Sequence, residues 1–515
     1  MSFLPTVSYA AEGKTISSAA ALISFRDEVN SGNTYEGQTV TLSSGINLSG
    51  TDWNPIGTEE HPFKGTFDGG NNTITGLEMS GEDTYAGLFG CNGGTIKNLN
   101  VKTSANGLNQ YLLIEQDGNG NTISKTSKRL YAGTIAAYST GNIINCTSDG
   151  AIKSQNAYSY TVSGGICGIN KGAVDSCTNN ARVSVVAKAD WTKLYADAYA
   201  GGICGINEGT VTSCTSSAQG VTDSDGNETM AAIFAQSTFS SAAAGGAIGD
   251  NRGIASDITA SGTVHSKIDF GVYNMSYAYA GGICGSNTGG VSDSSSDCYV
   301  RSSHDNQNRG NFMMCGGIAG YNKEEITNCT FSGLASAGNT GDYSIKGYVG
   351  GVCGYNYGRI SKCEFAKEAK ITDPRIVSKH RWTNMYAVDY AGGICGYNDE
   401  GIITQCAAKG SIYPKSAKAA NVDRSFFCGG IAGGNKDGII SLSYSNSDII
   451  LDGDGKTAQQ LSGNTNLPAA ESKVADAAYY AGGLAGENSG RIENCYYYCY
   501  SANANSIKAG KIGGL

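Results

Sequence analysis

The stretch Ala200-Gly201-Gly202-Ile203-Cys204-Gly205-Ile206-Asn207-Glu208-Gly209-Thr210-Val211-Thr212-Ser213-Cys214 decides how this chain folds, because it is one copy of a motif that recurs along nearly the whole sequence. Clear copies run from Ser163 to Cys177, Cys315 to Cys329, Val349 to Cys363 and Ala391 to Cys406. Weaker copies start at Ala244, Ala280, Cys428 and Ala481, and two divergent ones come first, near Asn92 and Ser139. Self-similarity of this kind is the signature of a repeat array in which each unit packs on its neighbours.

Asn170, Asn207, Asn251, Asn287, Asn322, Asn356, Asn398, Asn435 and Asn488 occupy one motif position, and from Asn170 to Asn435 they stand 34 to 44 residues apart. Most copies carry Gly two residues later. Asn tolerates left-handed backbone and bonds its own main chain, and Gly accepts positive φ without cost. Asn-x-Gly therefore reads as a tight corner between short, apolar, β-branched segments. Each repeat becomes one coil of two or three strands, and stacked corners let each Asn bond the next. The expected fold is all-β: a right-handed parallel β-helix with a short N-terminal capping α-helix. At about 4.8 Å per coil it forms a rod on the order of 50–60 Å long. A propeller needs longer antiparallel strands than the Gly-Gly and Asn-x-Gly breaks allow. Helical repeats need a 3.6-residue apolar stripe that the array lacks.

Composition excludes several functions. The 515 residues include 74 Gly and only 6 Pro, with a net charge of −9 and a pI of about 5.1. A nucleic-acid binder wants a basic stripe, and no run of apolar residues is long enough for a membrane span.

The 17 cysteines are mostly confined to two columns. One lies three residues before the asparagine: Cys167, Cys204, Cys284, Cys353 and Cys395. The other lies seven or eight after it: Cys146, Cys177, Cys214, Cys329, Cys363, Cys406 and Cys495. Where Cys is missing, Phe89, Ala136, Ile248, Ala319, Ala432 or Ala485 fills the first column, and Leu99, Ile258 or Leu442 the second. Small or apolar substitutes mark an interior position, where free Cys behaves as a small hydrophobe. A zinc site would need Cys or His at close spacing, so no metal or cofactor is expected. Cys91, Cys298 and Cys499 fall outside the columns and are the better candidates for pairing.

Residues 16–29 carry an apolar stripe that Ser17 or Ser18 can cap, and Asn30-Ser31-Gly32-Asn33 ends it. This helix is a plausible lid for the open end of a solenoid. The chain divides into a flexible terminus or signal remnant (1–15), the capping helix (16–36), the first coils (37–80) and the repeat array with Tyr-rich side loops (81–515).

The phrases Trp53-x-Pro-Ile-Gly57, Pro62-Phe63-Lys64-Gly65-Thr66-Phe67-Asp68-Gly69 and Gly87-Leu88-Phe89-Gly90, followed by the Gly-Gly-Ile-Cys-Gly-x-Asn repeats, resemble bacterial surface proteins carrying the GLUG motif. These are adhesin-like proteins, some attached to an immunoglobulin-A-cleaving metallopeptidase. The resemblance implies secretion and a β-helix stalk or adhesive module at the cell surface. His61, His265, His304 and His380 fit no His-Glu-x-x-His motif, so the peptidase part is not expected here.

Coil length varies between the second Cys column and the next Gly-Gly, and insertions confined to one side mark a binding face. Those segments are rich in Tyr: Tyr158 to Tyr160, Tyr195 to Tyr199, Tyr273 to Tyr279, Tyr343 to Tyr348, Trp382 to Tyr390 and Tyr479-Tyr480. Eight residues before the asparagine position stand Tyr131, Tyr199, Tyr279, Tyr348, Tyr390, Phe427 and Tyr480. Tyr321, Tyr355 and Tyr397 stand just before it. Facing outward, these ladders would meet a host or microbial glycan or protein; packed down, they would cover and stabilise the coil.

Asp223-Ser224-Asp225-Gly226-Asn227-Glu228 and Asp452-Gly453-Asp454-Gly455 resemble calcium loops without the full spacing, and read as polar turns. A polysaccharide lyase or hydrolase would need converging carboxylates. Only Asp257 and Asp293, beside the second Cys column on adjacent coils, could pair, so the expectation is a non-enzymatic module. The truncated repeat at Lys508 to Leu515 keeps open a filament subunit that stacks end to end on itself.

Overall fold

The computed structural model describes residues 13–498 apart from 82, 113–114, 117–121, 125–127, 158, 189–195, 223–227, 239, 270–275, 305–311, 340–345, 368–369, 373–385, 414–422 and 450–476. One coil shows how the repeat becomes structure. Its strands are Thr161–Gly164, Cys167–Asn170, Ala173–Asp175, Thr178–Asn179 and Arg182–Lys188. There are more of them than the two or three the spacing suggested, because Gly-Gly, Asn-x-Gly and a further corner before Cys177 each break the chain.

The strands of the repeat pair in parallel with their counterparts one repeat away, giving long sheets in a solenoid-like stack. The Gly-Gly strands form an 11-stranded tyrosine sheet from Tyr85–Ala86 to Ala477–Gly482. The next strands form an 11-stranded asparagine sheet from Phe89–Asn92 to Ala485–Asn488. A 14-stranded long sheet runs from Lys14–Ile16 to Arg491–Glu493. The last strands of each coil make a return sheet that ends at Tyr496–Tyr497. Two short hairpins, Glu115–Gln116 with Thr122–Ser124 and Val221–Thr222 with Glu228–Met230, are antiparallel.

The interior is thin, and the motif glycines show why. A Cβ on Gly351 would lie 2.1 Å from Gly393 O of the next coil and 2.5 Å from Cδ2 of Phe365, on the facing return sheet. On Gly202 it would lie 2.0 Å from Ser216 Oγ. Only a residue without a side chain leaves room for the facing one. The glycine of Asn-x-Gly has the same reason, not the expected positive φ. A Cβ on Gly209 would meet Gly172 O at 2.0 Å, and its φ is not left-handed; at this corner positive φ falls instead on Glu400 and Asp437, in the two coils that carry an extra residue before the glycine.

Apart from Tyr35, Asn71, Glu400 and Asp437, the left-handed residues other than glycine are Asn98, Asn145, Ser176, Ser213, Asp257, Asp293, Asn328, Lys362, Gln405, Leu442 and Asn494, with φ from 48° at Leu442 to 56° at Lys362 and Gln405. They turn each coil from the long sheet into the return sheet, and the residue after each points inward. This corrects one column assignment. Leu442 is the corner and is 57% exposed, and Ser443, fully buried, occupies the inner column in its place.

The cysteine columns line the core. Cys167 stands opposite Cys204, and Cys353 opposite Cys395. Cys146 N donates to Cys177 Sγ and Cys177 N to Cys214 Sγ, each at 3.4 Å. Cys284, Cys329, Cys363 and Cys406 are equally buried, and all cysteines among the described residues are free thiols. Cys91 and Cys298, the candidates for pairing, are buried and free too. Cys499 lies outside the described residues. Burial pushes the Cys91, Cys298 and Cys315 thiols up to about 12.

At the N-terminal end the helix is Ala19–Asn30, starting a turn later than its apolar stripe suggested; Ser18 Oγ accepts from Ala21 N at 3.3 Å. Lys14–Ile16, assigned in part to a flexible terminus, is instead the first strand, paired with Thr39–Leu42. Leu22, Phe25 and Val29 are buried, and the Phe25 ring lies 5.7 Å from Phe63 and 5.9 Å from Phe67.

Candidate functional site

Stacking converts the motif asparagines into a buried hydrogen-bonded chain. Asn170 Nδ2 donates to Asn207 Oδ1 at 2.8 Å, and the pattern continues through Asn251, Asn287, Asn322, Asn356, Asn398 and Asn435 to Asn488 at 2.7 to 2.9 Å. Most of these side chains also close their own turn: Asn170 Oδ1 accepts from Gly172 N at 3.1 Å, and Asn356 Nδ2 donates to Gly358 O at 3.0 Å. This ladder is structural, since its members are fully buried except at the Asn488 end.

The two aromatic ladders lie on neighbouring sheets on the outside of the coil. Tyr348 and Tyr355 are seven residues apart, which in extended chain is about 23 Å, yet their ring centroids are 4.9 Å apart. The chain bends so sharply at Gly350-Gly351 that its outer faces turn toward each other, and their rings pack together in the angle along the array. Gly354 permits this close approach: a Cβ there would lie 2.6 Å from Cys315 N of the preceding coil.

Backbone register puts Tyr131, Val162, Tyr199, Ala243, Tyr279, Met314, Tyr348, Tyr390, Phe427 and Tyr480 in one column. The Tyr480 side chain lies outside the described residues, as do the calcium-like segments at 223–227 and 452–455 and much of the Tyr-rich insertions, including Tyr158, Tyr195, Tyr273, Tyr343 and Trp382. From Tyr279 to Phe427 the ring planes run nearly parallel in a continuous offset stack. Tyr279 stacks on Tyr277 at 5.6 Å and Tyr277 on Phe312 at 5.3 Å. Phe312 stacks on Tyr348 at 6.3 Å, Tyr348 on Tyr390 at 5.6 Å and Tyr390 on Phe427 at 5.0 Å. Tyr277 and Phe312, not singled out in the sequence, carry the stack past Met314. Their signal was a second aromatic position two residues upstream.

Toward the N-terminal end the same angle is filled by aliphatic side chains. Val162, Ile169 and Ile206 form a buried cluster flanked by Tyr131, Tyr138 and Tyr199. Where Ala243 interrupts the first ladder, the second column carries Asp250, only 7% exposed and bonded by Arg252 Nε at 2.7 Å. Burial raises the Asp250 carboxyl above its ordinary value.

The second ladder, Tyr321, Tyr355 and Tyr397, is half-exposed and in register. Tyr355 Oη donates to Asp399 Oδ2 at 2.6 Å, and Lys436 Nζ to Asp399 Oδ1 at 3.0 Å. Burial alone would raise the Asp399 carboxyl; these bonds outweigh it and hold the group below its ordinary value. Tyr390 Oη reaches two coils on, to Glu487 Oε2 at 3.0 Å.

Asp257 and Asp293 turn to different neighbours. Asp257 accepts from Ser213 Oγ at 2.9 Å and Asp293 from Asn328 Nδ2 at 2.6 Å. The bond from Asn328 holds the Asp293 carboxyl below its ordinary value. No group of His, Cys, Asp and Glu among the described residues is arranged to hold a metal ion, and no helix among them is long and apolar enough to cross a membrane.

Residues 389–413 match the GLUG motif family, over the coil that contains Cys395, Asn398 and Cys406. No curated protein matches the chain. Among solved structures, it is similar to a proposed immunoglobulin A1 protease from Bacteroides ovatus. That likeness has 16% identity over 94% of this chain and 84% of the other, with a TM-score of 0.22.

Proposed function

We propose that this GLUG-motif chain is a non-enzymatic, extracellular adhesive module of a bacterial surface protein: a right-handed β-helix, capped by its N-terminal helix, that binds glycan or protein through its tyrosine-rich side. The observation that carries the reading is the pair of aromatic columns, which gather rings from successive coils onto one side of the array. Large aromatic surface with polar tips, held on a rigid scaffold, binds with little loss of entropy. The GLUG match supports the surface-protein context, and the separate bonding of Asp257 and Asp293 supports a role without catalysis.

The test is to screen the purified chain against arrays of glycans and of extracellular proteins, while assaying for release of reducing ends. Retention of a defined ligand without cleavage is expected. No retention on either array would sink the adhesive reading and leave a structural spacer; cleavage would sink the non-enzymatic one.

A further inference from the structure

The two ladders are not equivalent as binding surfaces, and ring orientation separates them. In the first ladder, Tyr348 has one face against Phe312 and the other against Tyr390, and Tyr390 has its faces against Tyr348 and Phe427, all within 14° of parallel. Their faces are used up, and only their edges remain.

Tyr355 meets Tyr348 at 89° and Tyr397 meets Tyr390 at 70°. Because the faces of Tyr348 and Tyr390 are occupied, each can only direct an edge at its partner, so Tyr355 and Tyr397 receive those edges on their inner faces. Unlike Tyr348, which is buried, Tyr355 and Tyr397 remain half-exposed. Tyr321, Tyr355 and Tyr397 follow one another at centroid separations of 6.5 and 5.4 Å, with planes 29° and 34° apart, like tiles along the array. Tyr357, 44% exposed, extends the strip beside Tyr355 at 5.2 Å. Asp399 and Lys436 stand at its border.

We propose that this tiled strip of Tyr321, Tyr355, Tyr357 and Tyr397 is a platform for a linear glycan of β-linked hexopyranose units, lying along the array with its sugar C–H faces on the rings. The claim rests on the adhesive reading and narrows it to one ladder and one ligand class. The ring spacing is close to the length of one sugar in an extended chain, so successive units meet successive rings. Lys436, exposed at the strip's border, offers a donor to sugar hydroxyl groups.

The experiment is isothermal titration of the whole chain with cellohexaose, chitohexaose and mannohexaose, with dextran as a flexible α-linked control. The Tyr355→Ala/Tyr397→Ala variant should bind roughly 5- to 150-fold more weakly, from the usual worth of two ring contacts. Tyr355→Phe/Tyr397→Phe, which keeps the faces, should bind as the parent does. Tyr357→Ala supplies the same comparison should the double alanine variant fail to fold. Binding that survives loss of these rings would overturn the platform and leave the adhesive reading standing. Binding of protein but of no hexasaccharide would overturn the ligand class, again leaving adhesion. Absence of any ligand would remove both.

Discussion

Removing one member from the middle of the asparagine ladder strands both its neighbours. Asn356 accepts from Asn322 and donates to Asn398, each at 2.7 Å, in a dry interior. Asn356→Ala leaves a buried donor above and a buried acceptor below, so a loss of about 2–4 kcal/mol is expected in urea unfolding. Asn488→Ala, at the exposed end, should cost less than about 1 kcal/mol; equal costs would mean the ladder is incidental. The left-handed corners offer the opposite lever. Leu442 holds φ 48° with its side chain exposed, where Asn or Asp serves in several other coils. A left-handed backbone costs an ordinary L-residue about 1–2 kcal/mol, less for Asn. Leu442→Asn should therefore raise stability by roughly 0.5–1 kcal/mol, and no gain in the urea midpoint would show that the corner is relaxed.

The turns and close contacts of a coil are set by positions that look interchangeable in the sequence. Gly351 and Gly290 are both motif-region glycines, yet a Cβ on the first collides with backbone and with Phe365, while one on the second meets nothing within 4 Å. Gly351→Ala should cost about 3 kcal/mol or more, and Gly290→Ala should be neutral or stabilise by roughly 0.5 kcal/mol. Thermal melts of the two variants separate packing from chain entropy. The same contrast explains what the sequence disclosed. The parallel pairing, the asparagine column and both cysteine columns follow from periodicity, which survives in one dimension. Three things needed the third dimension. The Asn-x-Gly glycine proved to be a matter of contact between coils, not of φ. The positive-φ corner sat at residues read only as surface, Asp257 and Asp293 among them. The outward bend that brings Tyr348 onto Tyr355 was hidden because Gly-Gly gives no side-chain alternation to count. Hence both ladders were legible as columns, and their ring orientations were not.

For the molecule as a whole, stacking makes interior chemistry collective. Thiols whose folded pKa lies near 12 at Cys91, Cys298 and Cys315 titrate near 8.5 when unfolded. The folded pKa is the higher one, so their contribution is complete below about pH 8 and is lost as pH rises toward 12. Each falls at about 1.4 kcal/mol per pH unit in that window, so urea midpoints should be level from pH 6 to 8 and drop steeply above about pH 9. A level profile to pH 11 would mean that the core admits water. The same one-dimensional coupling should confine damage at the N-terminal end. Phe25 is fully buried and lies 5.1 Å from Tyr35 as well as near Phe63 and Phe67. Phe25→Ala removes a large core ring at a cost of about 3–5 kcal/mol. In a solenoid each coil feels only its neighbours, so hydrogen exchange should quicken in Thr39–Leu42 and Thr66–Asp68 while coils beyond Asn207 keep their protection. Loss of protection as far as Ala477–Gly482 would show one cooperative unit instead, and no change near the helix would show that the helix does not close the end.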